Sequence, residues 1–207
     1  MYSQGHEKPE GDFCPICTLP IQLPMGDHSG FNICCMQRIC DGCHVAAQKK
    51  GIVDCVFCRT PFVKNDADAL VMTRARVAKK DPAAINDLAE KYFYGELGLQ
   101  QNTRKAIKLW TEAAELGSIV ALCHLGTVYY GGDTVQEDKA KGVEFLKRAA
   151  MQGDVLSRRK LGAIEACNGS ALHAVRHFLI SAKMGDKDSV ESINRAFMAG
   201  LATKEHY

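Results

Sequence analysis

The sequence has no apolar run approaching the ~20 residues of a membrane span. Its opening stretch, MYSQGHEKPEGD, has no basic patch followed by an apolar core, so no secretory signal is expected. A chain with neither feature is expected in the cytoplasm or nucleus. Thiols stay reduced there, and clustered cysteines bind metal more often than they form disulfides. Strong charge of either sign is also missing. The formal net charge is +2, which implies no pull towards nucleic acid or a membrane. The basic clusters Arg74-Ala75-Arg76 and Arg158-Arg159-Lys160 are short and read as solvated helix faces. Neither a Ser/His/Asp arrangement nor a phosphate-cradling glycine loop is present, so no catalytic residues of the chain's own are expected.

What is present is unevenly spread. Of ten cysteines, eight lie between Cys14 and Cys58, while Cys123 and Cys167 stand alone in helical sequence and read as small buried residues. The asymmetry predicts two kinds of domain. Residues 1–12 are polar and read as a flexible N-terminus. Residues 13–65 hold the cysteines among turn-forming prolines and glycines, with too little to bury for a conventional core, so they need a metal or disulfides. Residues 66–80, with Leu70, Val71, Arg74 and Val77 at helical spacing, read as a connecting helix stopped at Asp81-Pro82.

From residue 81 to 207 the chain repeats itself. The phrases LWTEAAELG, FLKRAAMQG and HFLISAKMG end on Gly117, Gly153 and Gly185, giving periods of 36 and 32. The same frame aligns Ala106, Gly142 and Ala174, then Trp110, Leu146 and Phe178. It also aligns Ala113-Ala114, Ala149-Ala150 and Ser181-Ala182. These positions share one helix face, a bulky anchor beside a small-residue seam, and the glycine beyond suits a left-handed cap. A preceding helix aligns Leu88, Leu125, Leu161 and Ile193, then Tyr92, Tyr129, Glu165 and Phe197, then Gly95, Gly132, Asn168 and Gly200. The last set tolerates a left-handed backbone, so each first helix is expected to end there. The stretch between helices runs eleven residues from Gly95 to Ala106 and ten from Gly132 to Gly142. It is only six from Asn168 to Ala174, so a loop shortened. The phrases LGTVYYGGDTVQEDKAKGVEFLKRAAMQG and AIKLWTEAAELG resemble the SEL-one-like repeat, a relative of the tetratricopeptide repeat, over about residues 81–203. The middle unit matches best, with Gly126, Tyr129, Gly132, Asp138, Lys141 and Ala150; the third departs, with Glu165 in place of tyrosine. The resemblance implies an all-α solenoid of antiparallel helix pairs, about three and a half repeats long, that presents a concave face to protein or peptide partners.

In the cysteine-rich part, Cys14/Cys17, Cys40/Cys43 and Cys55/Cys58 are Cys-x-x-Cys pairs, and Cys34-Cys35 lies between the first two. Each such knuckle brings two sulfurs to one tetrahedral Zn²⁺. Haem attachment through Cys40-Asp41-Gly42-Cys43-His44 would leave six nearby cysteines unexplained. A thioredoxin-like dithiol expects one motif at a helix start. Eight ligands in four pairs suit two mononuclear sites better than an iron–sulfur cluster, and disulfides need an oxidising compartment. Eight thiolates on two Zn²⁺ would turn the formal +2 into about −2.

The order CPIC, CCMQRICDGC, CVFCRTPF resembles the RING finger over about residues 13–62. The resemblance implies a small zinc-stabilised cross-brace. The first and third ligand pairs, Cys14, Cys17, Cys40 and Cys43, would hold one ion; Cys34, Cys35, Cys55 and Cys58 would hold the other. Gln37 falls near the family's usual histidine, so this would be an all-cysteine variant, and the backbone must bend for adjacent Cys34 and Cys35 to share an ion. The alternative is one of that pair plus His28 or His44. The same resemblance implies a ubiquitin-protein ligase that binds a ubiquitin-conjugating enzyme, the zinc being structural. Ile16 would be an apolar anchor, Pro61 would lie beside it, and Arg59 would bridge enzyme and ubiquitin. Val56 replaces the proline usual in the last knuckle, and no tryptophan lies between Cys43 and Cys55. A non-enzymatic zinc-bearing scaffold or adaptor for protein assembly is the alternative function.

Overall fold

The structure, a computed structural model, describes residues 2–132 and 136–200. The end of the repeat region, residues 201–207, lies outside the described residues. Two compact units are formed, Gly11–Leu125 and Met1–Glu10 with Gly126–Tyr207. No described helix is long and apolar enough to cross a membrane.

In the first unit, strands β1 (Ser29–Asn32) and β2 (Gln37–Cys40) pair antiparallel, with Ser29 opposite Cys40 and Asn32 opposite Gln37. Helix α1 (Asp41–Lys49) follows directly. The core here is small. Cys14, Ile21 and Ile39 are buried, and Met25, Val56 and Phe57 pack on them. Helix α2 (Asp66–Val77) starts at Asn65, whose side chain accepts from the Asp68 amide at 2.8 Å. Asp81 caps α3 (Pro82–Tyr94), with Pro82 in the first turn, where its missing N–H costs nothing. Helix α4 (Thr103–Glu115) packs on α3 through the aligned face. Trp110 is 1% exposed. Its ring stacks on His124 of α5 (Ile119–Gly131) at 4.8 Å and tilts against Phe93 at 5.2 Å. Its burial stabilises by roughly 2–3 kcal/mol.

The second unit continues the pattern with α6 (Lys139–Met151), α7 (Val155–Cys167), α8 (Ala171–Lys183) and α9 (Lys187–Met198). Leu161 and Ile193 are buried here, as are Leu146 and Phe178. The small-residue positions let helix axes approach closely. A Cβ on Gly126 would lie 2.7 Å from Leu146 Cγ, and one on Gly162 would lie 2.7 Å from Phe178 Cε1. Gly117, Gly153 and Gly185 have φ of 95°, 92° and 101°, the left-handed turns expected after each second helix. Aspartates recur as caps: Asp138, Asp154 and Asp186 accept from the amides of Lys141, Ser157 and Ser189.

Several expectations change. Asn168 sits at φ −80°, and the left-handed residue is Gly169, at φ 79°. The chain had a glycine one step on, which adopts that region without the Cβ clash. Cys167 is exposed, because it closes the last turn of α7 beside that loop. Arg158 is fully buried rather than solvated. Residues 2–9, expected from composition to be loosely attached, lie against α6, α7 and α8 of the same unit.

Candidate metal centre

Two hairpin knuckles of the same design open and close the cysteine-rich region. In the first, Phe13 and Pro20 form an isolated bridge around Cys14–Cys17. The Thr18 amide donates to the Cys14 carbonyl at 2.8 Å. In the last, Asp54 and Pro61 bridge around Cys55–Cys58, and the Arg59 amide donates to the Cys55 carbonyl at 2.9 Å. The residue after each second cysteine is left-handed although it is not glycine: Thr18 at φ 60° and Arg59 at φ 59°. Such a backbone costs roughly 1–2 kcal/mol per residue, and it turns amides and sulfurs inward.

Cys34 and Cys35 lie in the turn between β1 and β2, not in a strand. The Met36 amide donates to the Asn32 carbonyl at 2.7 Å, and Met36 has φ 56°. This supplies the bend that two adjacent ligands require. The fourth pair is built differently. Cys40 ends β2, and Cys43 lies in the first turn of α1, the positive end of the helix dipole. Locally this is the strand-to-helix setting of a redox dithiol. Its sulfurs, however, face Cys14 and Cys17.

The side chains gather into two groups, Cys14, Cys17, Cys40, Cys43 and Cys34, Cys35, Cys55, Cys58, each with its sulfurs within 4.8 Å of one another. Cross-pair separations include 3.7 Å for Cys17–Cys40, 3.6 Å for Cys35–Cys55 and 3.3 Å for Cys34–Cys58. A tetrahedral ion with Zn–S bonds of ~2.3 Å sets its sulfurs about 3.8 Å apart, whereas a disulfide needs ~2.05 Å. Four soft thiolates at tetrahedral spacing fit Zn²⁺. Neither group includes His28 or His44, and His44 points along α1, with Nε2 3.4 Å from Gln48 Nε2.

The thiols in each group are electrostatically unequal. Burial raises the pKa of Cys14, but the backbone amides of Cys17, Cys40 and Ile16 outweigh it and hold the thiol down at about 6. Burial pushes Cys43 up to about 12, with the Cys40, Cys17 and Cys14 thiols adding to it. In the second group the Thr60 hydroxyl, 3.2 Å from Cys58 Sγ, brings Cys58 down to about 6. Burial, with Cys58 and Cys55 beside it, drives Cys34 far up. Each group therefore offers one ready thiolate to a cation. The remaining sulfurs would have to give up protons for an ion to bind.

Two contributors carry no signal in the sequence. Thr60 lies inside CVFCRTPF, but nothing in that phrase singles it out as a partner of sulfur. Arg76 of α2 donates from Nε to the Cys34 carbonyl at 3.1 Å and pairs with Asp81 at 3.4 Å, tying the second thiol group to the helices. Only the fold brings residue 76 to residue 34. The expected partner-facing residues are placed as follows: Ile16 is 49% exposed between its two cysteines, and Arg59 and Pro61 are exposed on the last knuckle.

The Sel1 repeat family matches residues 82–118 and 119–154, the α3/α4 and α5/α6 pairs. Among solved structures, a Sel1 repeat protein from Oxalobacter formigenes is 23% identical over 66% of this chain, with TM-score 0.61. The protein c5321, a protective antigen present in uropathogenic Escherichia coli strains displaying an SLR fold, is 22% identical over 69%, also with TM-score 0.61. The chain spans 57% and 31% of the lengths of those two proteins. Residues 82–154 thus match the Sel1 repeat, and the likeness to the solved proteins is one of fold, an α-solenoid of helix pairs.

Proposed function

We propose that the chain is a RING-type ubiquitin-protein ligase in which residues 13–65 bind a ubiquitin-conjugating enzyme and the helical repeats of 81–207 hold a protein substrate. The observation that carries this reading is the interleaving of the thiols: first pair with third, second with fourth, at metal-ligand spacing. Cys14, Cys17, Cys40 and Cys43 would hold one Zn²⁺, and Cys34, Cys35, Cys55 and Cys58 the other. Held by four thiolates each, the two ions would be closed structural cross-links with no open position for water, and their binding would help fold the loops.

The chain's own contribution is positioning. Ile16, half exposed on the first knuckle, offers an apolar anchor to the conjugating enzyme. Pro61 would flank that anchor, and Arg59 would donate hydrogen bonds that hold ubiquitin against the enzyme. Ordering a tethered thioester and an amine is worth several orders of magnitude in rate. A non-enzymatic adaptor is the second reading. It is favoured by Val56, which packs inward on the Cys14–Ile21–Ile39 cluster where a ligase usually has a proline. Self-ubiquitination with a panel of conjugating enzymes decides between them. Activity abolished by Ile16→Ala and by Arg59→Ala supports the ligase. Zinc-loaded, folded protein inactive with every enzyme leaves the adaptor.

A further inference from the structure

Residues 2–9 have no regular secondary structure beyond turns and bends, yet they are held at intervals of three: Tyr2, Gly5 and Lys8 are half-buried, while Ser3, Gln4, His6 and Glu7 are exposed. Each held residue meets a distinct feature of the second unit. The Tyr2 ring tilts onto His177 at 4.9 Å and stacks over His173 at 6.0 Å, with the Arg176 guanidinium 5.6 Å from its centre. Gly5 passes so close to α6 that a Cβ there would collide with the Ala150 carbonyl oxygen and lie 2.8 Å from Arg158 Nη2. Its φ of 68° also favours glycine. Arg158 Nη2 donates to the Gln4 carbonyl and, at 3.0 Å, to that of Ala150. Further along, a Cβ on Gly153 would collide with the Glu7 carbonyl oxygen and lie 3.3 Å from Pro9 Cδ, and a Cβ on Gly185 would lie 3.9 Å from Lys8 Nζ.

This face is chemically distinctive. The turn glycine of the first repeat, Gly117, has nothing within 4 Å of where a Cβ would stand, whereas its counterparts Gly153 and Gly185 both face the N-terminal segment. The third repeat is also where the sequence leaves the common pattern. Glu165 replaces tyrosine there and pairs with His173 at 4.0 Å. A buried arginine aimed at peptide carbonyls, an aromatic slot edged by a cation, and glycines that let backbone approach are the parts of a site that reads extended chain.

We propose that the ends of α6 and α7 and the length of α8 form a peptide-binding site for an extended segment with tyrosine three residues before a left-handed glycine, and that residues 2–9 occupy it in cis as a competitor. A partner protein bearing such a segment must displace the chain's own. Tethering gives the cis ligand a local concentration of order millimolar, which raises the threshold for a partner. The inference rests on the helical repeats binding protein, not on the ligase reading. Self-ubiquitination can fail with peptide still bound, and peptide can fail to bind with self-ubiquitination intact.

The test uses the 207-residue chain, folded in the presence of zinc, and a fluorescein-labelled peptide of sequence YSQGHEKPE, read by fluorescence polarisation. Gly5→Val evicts the cis segment without touching the site, and the peptide is expected to bind it at least tenfold more tightly than it binds the unmodified protein. Adding His173→Ala and Arg176→Ala, both exposed positions, is expected to remove that gain. Tyr2→Ala gives a second, milder eviction. Equal binding to the unmodified and both evicted proteins, with unchanged circular dichroism, overturns the proposal. So does binding that ignores the His173/Arg176 changes. A dimer in light scattering, with one copy's segment cross-linked to another copy, overturns cis occupancy.

Discussion

His177 gives the most direct quantitative test of the second unit. Its side chain is fully buried, and neither ring nitrogen has a hydrogen-bond partner among the described residues. Burial comes first in lowering its pKa, and the charges of Arg158, His173 and Lys147 add to it, pushing it to about 4 from an ordinary 6.5. The unfolded chain therefore takes up a proton near pH 6.5, while the folded chain resists until about pH 4. Between those values the unfolded state binds more protons, so stability falls as pH falls and is fully present only above about 6.5. The gap is worth about 3 kcal/mol. His177→Phe keeps a ring in place and removes the proton site. The unfolding free energy of the native protein relative to His177→Phe is expected to drop by about 3 kcal/mol between pH 7.5 and pH 4. Taking the difference cancels any acid loss of metal, which would be the same in both proteins. Titration of the His177 imidazole by NMR reads the same quantity directly. A midpoint at 6 or above, or a difference that stays flat with pH, refutes the reasoning. The midpoint should also climb towards 6.5 in Gly5→Val, because the Tyr2 ring that lies on His177 would then leave.

The other expectations concern the metal groups and the helix seam. Native mass spectrometry should find two zinc ions per chain, and Cys34→Ser and Cys35→Ser should each lose one of them. If either serine variant keeps both, the adjacent cysteines do not share an ion. Gly162→Val places a branched side chain where a Cβ would already be 2.7 Å from Phe178. It should destabilise the second unit by about 1–3 kcal/mol, seen as a lower midpoint in urea, and an unchanged midpoint would mean that α7 and α8 can separate at no cost.

The sequence by itself determined the part of this protein that depends on local order. The cysteine pairs show which sulfurs sit on one knuckle, because two residues between them leave little choice. The repeat frame places Leu88, Trp110, Leu146, Leu161 and Phe178 in the core, since position along a helix sets the face. It also places Gly117, Gly153 and Gly185 at left-handed turns. Features that depend on what arrives from elsewhere in the chain were decided only by tertiary structure. Thr18, Met36 and Arg59 are left-handed although nothing in their side chains favours it, because the sulfurs beside them converge on distant partners. The turn at Cys34-Cys35 is closed by strand pairing and tied by Arg76, 42 positions away. Arg158 reads as a surface cation in any local window. It is buried because residues 4 and 5 pass over it. Cys167 is apolar enough for a core, yet it falls on a helix end that no later segment covers among the described residues, and it stays in water. Local spacing records which face a residue shares, and only the folded chain shows what that face meets.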